Sequence, residues 1–104
     1  MIKRNLVSSD DREIGFYLKY PQHHEGYDEF HCEFGTFGFS RDINVKTVGG
    51  DALQSLLLAL ARIEMFITGT EEFESLNLRC VGAWHPGDLG LRIPGEQPPW
   101  TDPG

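Results

Sequence analysis

The feature that most constrains this chain is a change of period at Asp51. Upstream, apolar side chains switch sides at every residue; downstream they recur at three- and four-residue spacing. Ile14, Phe16, Leu18 and Tyr20 alternate with Gly15, Tyr17 and Lys19, which is the pattern of a half-buried strand ending at Pro21. Gln22 to Gly26 then reads as a polar loop, and alternation resumes with Phe30, Cys32 and Phe34 on one face and His31 and Glu33 on the other. Two such runs joined by a short loop predict an antiparallel hairpin. A strand near Ile2 to Val7 is expected before it, and another with Ile43 and Val45 inward after it.

Gly49-Gly50 breaks the strand rhythm, and Asp51-Ala52-Leu53-Gln54-Ser55-Leu56 opens a helix rich in Ala and Leu. Asp51 suits the N-cap, Gln54 completes a capping box, and Gly69 is the expected stop. Leu53, Leu56, Leu57, Leu60 and Ile67 form the predicted inward stripe, with Leu58 and Met65 outside it. Glu71 to Glu74 is an acidic connection, and Leu76, Leu78 and Cys80 predict a last strand. The expected fold is therefore α+β: an antiparallel sheet of about five strands with one central helix on one face, in the order β-β-β-β-α-β. The opposite face, carrying Tyr17, Lys19, His31, Glu33, Arg79 and Val81, is left open. With 104 residues the chain suits a single domain over 1–94, and 95–104 reads as a mobile Pro/Gly-rich tail.

The segment Gly49-Gly50-Asp51-Ala52-Leu53-Gln54-Ser55-Leu56 resembles the helix start, G-x-D-A-x-Q-A-L, of an uncharacterised bacterial family of short single-domain proteins. Asp88-Leu89-Gly90-Leu91 is similar to that family's D-L-G-F/L-P segment, with the proline displaced to Pro94. Pro21 and Phe30-His31-Cys32 resemble its strand end and its aromatic-x-Cys strand. The resemblance implies the fold and carries no activity.

Catalytic chemistry finds no constellation to rest on. His23, His24, His31 and Cys32 are zinc-ligand types, but their spacing fits no standard pattern. Adjacent histidines point apart on an extended chain, and His31 and Cys32 face opposite ways, so the sequence assigns no metal and no cofactor. Cys32 and Cys80 read as free buried thiols. The runs Asp10-Asp11-x-Glu13, Asp28-Glu29 and Glu71-Glu72-x-Glu74 read as solvated surface. Gly35 to Gly38 lacks the lysine and spacing of a phosphate loop.

The charge balance gives the positive expectation. Nine basic residues oppose sixteen acidic ones, net -7, with residues 1–48 at -2 and residues 49–104 at -5. Such a surface repels nucleic acid and anionic membranes and attracts a basic protein. With no apolar leader or spanning run, the chain is expected in the cytoplasm. The leading expectation is a non-catalytic binding protein, an immunity or antitoxin-like inhibitor of a basic toxin domain. Its expected contacts are Glu25, Tyr27, Asp28, Glu29, Glu71, Glu72, Glu74 and Trp84. A self-associating scaffold that dimerises through the helix is the second reading. A small ligand-binding protein or enzyme with a pocket between helix and sheet is the third.

Overall fold

A computed structural model of the chain describes residues 1–83 and 87–91. Trp84 and His85, and the tail expected over 95–104 with Trp100, lie outside the described residues. Five strands come first: β1 (Ile2–Asn5), β2 (Gly15–Leu18), β3 (Gln22–His23), β4 (Phe30–Phe37) and β5 (Asn44–Gly49). Two helices follow, α1 (Ala52–Thr68) and α2 (Glu71–Ser75). All pairings are antiparallel.

β4 is the axis of the sheet. β2 pairs with its second half (Leu18 opposite Phe34) and β3 with its first half (Gln22 opposite His31). β5 takes the other edge, from Phe30 opposite Gly49 to Gly35 opposite Asn44. β2 and β3 thus form one ribbon interrupted before Pro21, with Lys19 N–H still donating to the Glu33 carbonyl at 2.8 Å. The expected polar loop at Gln22 to Gly26 is therefore shorter than the composition suggests, because Gln22 and His23 enter the ladder.

The alternation places Ile14, Phe16, Leu18, Cys32 and Phe34 in the core, with Phe39, Leu76, Leu78 and Leu89 closing it. Tyr20 departs from its alternating set and is exposed, since the ribbon breaks at that point. The return segment after α2 buries Leu76 and Leu78 as expected but joins the strands through one bridge, Val7 to Arg79. Left-handed backbone at Asn77 (φ 50°) and Gly82 (φ 85°) bends it out of an extended path.

Asp51 caps the helix as expected, while Gln54 reaches back to Gly50, one residue before the amide that a strict capping box uses. Asp51 accepts from the Gln54 N–H at 2.8 Å, and the Gln54 side chain accepts in turn from Gly50 N–H at 2.5 Å. Gly69 ends the helix, donating to the Phe66 carbonyl.

The face that α1 turns inward differs from the predicted leucine stripe. Ser55, Ala59, Ile63 and Ile67 are buried, Leu56 and Leu60 flank them, and Leu53 and Leu57 point outward. Small residues win this position because they let the helix axis come close to β5. Thr47 Oγ1 donates to the Ser55 carbonyl at 2.7 Å, and a Cβ built on Gly49 would lie 2.5 Å from the Ser55 nitrogen. Leucines at the contact would hold the two backbones apart.

Candidate functional site

The exposed side of α1 carries the apolar residues displaced from the core. Leu53, Leu57, Leu58 and Met65 retain 63%, 51%, 40% and 73% of their accessible surface. They make the outer side of α1, a helix of roughly 25 Å, a broad apolar ridge, with Leu53 and Leu57 toward one flank and Leu58 and Met65 toward the other. Beside it, a groove of about 530 Å³ runs between α1 and β1–β2, with Ile2, Phe16, Leu18, Leu56, Leu57, Leu60 and Leu91 on its walls. Its polar lining is Arg4 and Glu64. Arg4 already donates to the carbonyls of Leu89 and Gly90, both at 3.0 Å. The groove is thus an apolar recess continuous with the ridge through Leu57.

The sheet face turned away from α1 is polar. The Tyr17 ring lies over Gly35, where any Cβ would collide with it, and its hydroxyl accepts from Asn44 Nδ2 at 2.5 Å. Lys19 Nζ sits 2.8 Å from Glu33 Oε2. Each member of that pair stabilises the other's charged form: Glu33 is held below the ordinary carboxylate range, first by the Lys19 hydrogen bond, and Lys19 is raised by the same bond.

At one end of this face the β3–β4 hairpin assembles a cluster that no sequence motif announces. His24 N–H donates to the Glu29 carbonyl at 2.9 Å, closing the hairpin. Alternation then puts His24, Glu29 and His31 on one side. His24 Nδ1 is 3.1 Å and His31 Nε2 3.2 Å from the same oxygen, Glu29 Oε1. The imidazole rings lie 4.6 Å apart, and Tyr27 stacks on His24 at 4.8 Å. Glu29 is consequently held below the ordinary carboxylate range, by its bonds to His24 and then His31. Of the zinc-ligand types in the sequence only His24 and His31 meet here, and Glu29, expected as a partner contact, joins them. His23 instead meets Phe30 edge-on at 5.1 Å, and Cys32 is buried on the opposite face. The available signal was the register of a four-residue turn, His24-x4-Glu29-x-His31.

The acidic residues expected to contact a partner are divided. Glu25, Tyr27 and Asp28 are exposed at the hairpin tip, while Glu29 is half-buried in the cluster. That tip shares an end of the molecule with the start of α1, because Phe30 pairs with Gly49. Glu71 and Glu74 are exposed on α2, beyond the other end of α1. Glu72 is a correction: its carboxylate is buried, accepting from Ser40 N–H at 2.9 Å, and is a structural tie to the β4–β5 turn. That backbone bond holds Glu72 below the ordinary carboxylate range. Trp84 lies outside the described residues.

Both cysteines are free. Cys32 is buried beneath α1, its thiol pushed up by desolvation, whereas Cys80 packs beside Gly90 near the far edge. Among the described residues no helix is long and apolar enough to cross a membrane.

A family model for a domain of unknown function, DUF6968, matches residues 2–93. The chain belongs to the DUF6968 family. The match covers every strand, both helices, the ridge and the histidine cluster, so these are parts of one DUF6968 domain. No curated protein matches the chain, and no solved structure matches it.

Proposed function

We propose that this DUF6968 domain is a non-catalytic binding protein, of the immunity or antitoxin kind, that covers and neutralises a basic toxin domain in the cytoplasm. The observation that carries the reading is the ridge of Leu53, Leu57, Leu58 and Met65 beside an apolar recess. An apolar centre with charged margins is the anatomy of a protein interface. Here Glu25 and Asp28 stand beyond one end of α1, and Glu71 and Glu74 beyond the other. A net charge of -7 steers a basic partner toward that surface, and the apolar ridge then sets how slowly it leaves.

The test is co-purification of the full chain from its native host at low and at high salt. The reading expects one stoichiometric basic protein, captured faster at low salt and lost when Leu57→Glu and Met65→Glu are combined. Recovery of no partner at any salt overturns it. The same ridge supports a second reading, self-association, which light scattering separates: a concentration-independent dimer abolished by those substitutions favours the scaffold, and a monomer favours the inhibitor.

A further inference from the structure

We propose that His24, Glu29 and His31 form a binding site for one divalent transition-metal ion, of the zinc, cobalt or nickel type, on the open face of the sheet. Two imidazoles and one carboxylate are the nitrogen and oxygen donors such ions prefer. Ligand bonds of about 2.0–2.1 Å place neighbouring donors of a tetrahedral site about 3.3–3.4 Å apart. The two histidine–glutamate separations, 3.1 and 3.2 Å, fall just short of this spacing. All three donor atoms lie within 4.8 Å of one another, so a small rotation of the rings closes the remaining gap.

The frame that holds these donors is fixed before any ion arrives. His31 lies in β4, which is paired on both edges at that residue, with Gln22 and with Val48. The backbone bond from His24 to Glu29 sets the separation of the other two donors, and Tyr27 packs against the His24 ring. An ionised Glu29 carboxylate is acceptor-only, so a ring nitrogen that hydrogen-bonds Glu29 Oε1 does so as an N–H donor. For metal binding each must offer a lone pair: in a neutral ring the N–H moves to the other nitrogen, and a doubly protonated ring releases one proton to water, so no bond to carbon changes. With His24, Glu29 and His31 all partly exposed, three protein ligands leave further positions open to water or to a partner's side chain. Beside them is a depression of about 370 Å³ lined by Lys19, Gln22, Glu33 and Lys46.

The experiment uses the full chain without any histidine tag, stripped of metal, titrated with Zn²⁺ by calorimetry and with Co²⁺ by visible absorption. One saturable equivalent is expected. His24→Ala, Glu29→Gln and His31→Ala should each weaken binding at least tenfold, and His23→Ala should leave it within twofold. Circular dichroism establishes that each variant is folded, and the imidazole nitrogen resonances of the parent chain should shift at His24 and His31 on addition of Zn²⁺. Absence of saturable binding at millimolar Zn²⁺ overturns the proposal. So does binding that the three substitutions leave unchanged, or a thiolate-to-cobalt charge-transfer band showing that Cys32 or Cys80 holds the ion. The site and the inhibitor reading fail independently, because the titration is made on the free chain and needs no partner, whereas the inhibitor reading is carried by the ridge on α1 and needs no metal.

Discussion

Replacing Gly49 by alanine tests the close approach of α1 to β5, on which the outward turn of the leucines depends. The added methyl carbon would sit 2.5 Å from the Ser55 nitrogen and 3.0 Å from both Gln54 C and Ser55 Cα, against 3.4–4 Å for ordinary contact. These are backbone atoms in the first turn of the helix, so no side-chain rotation relieves the overlap. The start of α1 must retreat by about 1 Å, an overpacking cost of about 1–3 kcal/mol. The retreat also stretches the 2.7 Å bond from Thr47 Oγ1 to the Ser55 carbonyl, which is buried. Losing it adds about 1 kcal/mol. The sum, about 2–4 kcal/mol, corresponds to a fall in Tm of roughly 10–25 °C for a domain of this size. Gly50→Ala is the internal control. Its Cβ meets only the flexible Gln54 Oε1, at 3.3 Å, so a change under about 0.5 kcal/mol is expected. Urea and thermal denaturation followed by circular dichroism give both values. If Gly49→Ala and Gly50→Ala are equally mild, the helix does not press on the strand at this point and the packing argument fails.

Two further predictions concern groups buried away from the ridge. Glu72 is more acidic in the folded chain than in the unfolded one, owing to the Ser40 backbone bond. Its ionised form therefore favours folding above the ordinary carboxylate range, and that contribution is lost as pH falls through the lowered value. Denaturation midpoints at pH 7 and pH 3 should converge in Glu72→Gln relative to the parent chain; an unchanged pH response would refute the assignment. For the thiols, Cys80 should react with a disulfide reagent in the native state while Cys32, buried with its thiolate disfavoured, reacts only on unfolding. Equal rates for the two would contradict the placement of Cys32 under α1.

Much of the sheet was legible because its signal is local. Phe16, Leu18, Cys32 and Phe34 alternate with polar or small residues, and only a strand puts every second side chain into one core. Asp51 and Gln54 announced the helix start through chemistry confined to four residues. What stayed hidden depends on distance in space. A hydrophobicity pattern on α1 favours the leucines as the inward face, yet Gly49 and Thr47 on β5 reward the small pair Ser55 and Ala59. The last segment alternates like a strand, but pairing needs a free edge and a straight path, and Asn77 and Gly82 bend it away. The histidine–glutamate cluster appears only once the hairpin register is known, since a shift of one residue would send His24 and His31 to opposite faces. The acidic residues gave charge without arrangement, and the fold assigned Glu72 to structure and Glu29 to the cluster.

Peroxide oxidation of the two methionines, resolved by peptide mass spectrometry, probes the ridge most directly. In the dilute free chain Met65 should oxidise about as readily as the exposed Met1, and addition of the captured basic partner should slow Met65 at least tenfold. A Met65 already shielded in the free monomer, or equally reactive in the complex, would contradict an outward ridge that meets a partner.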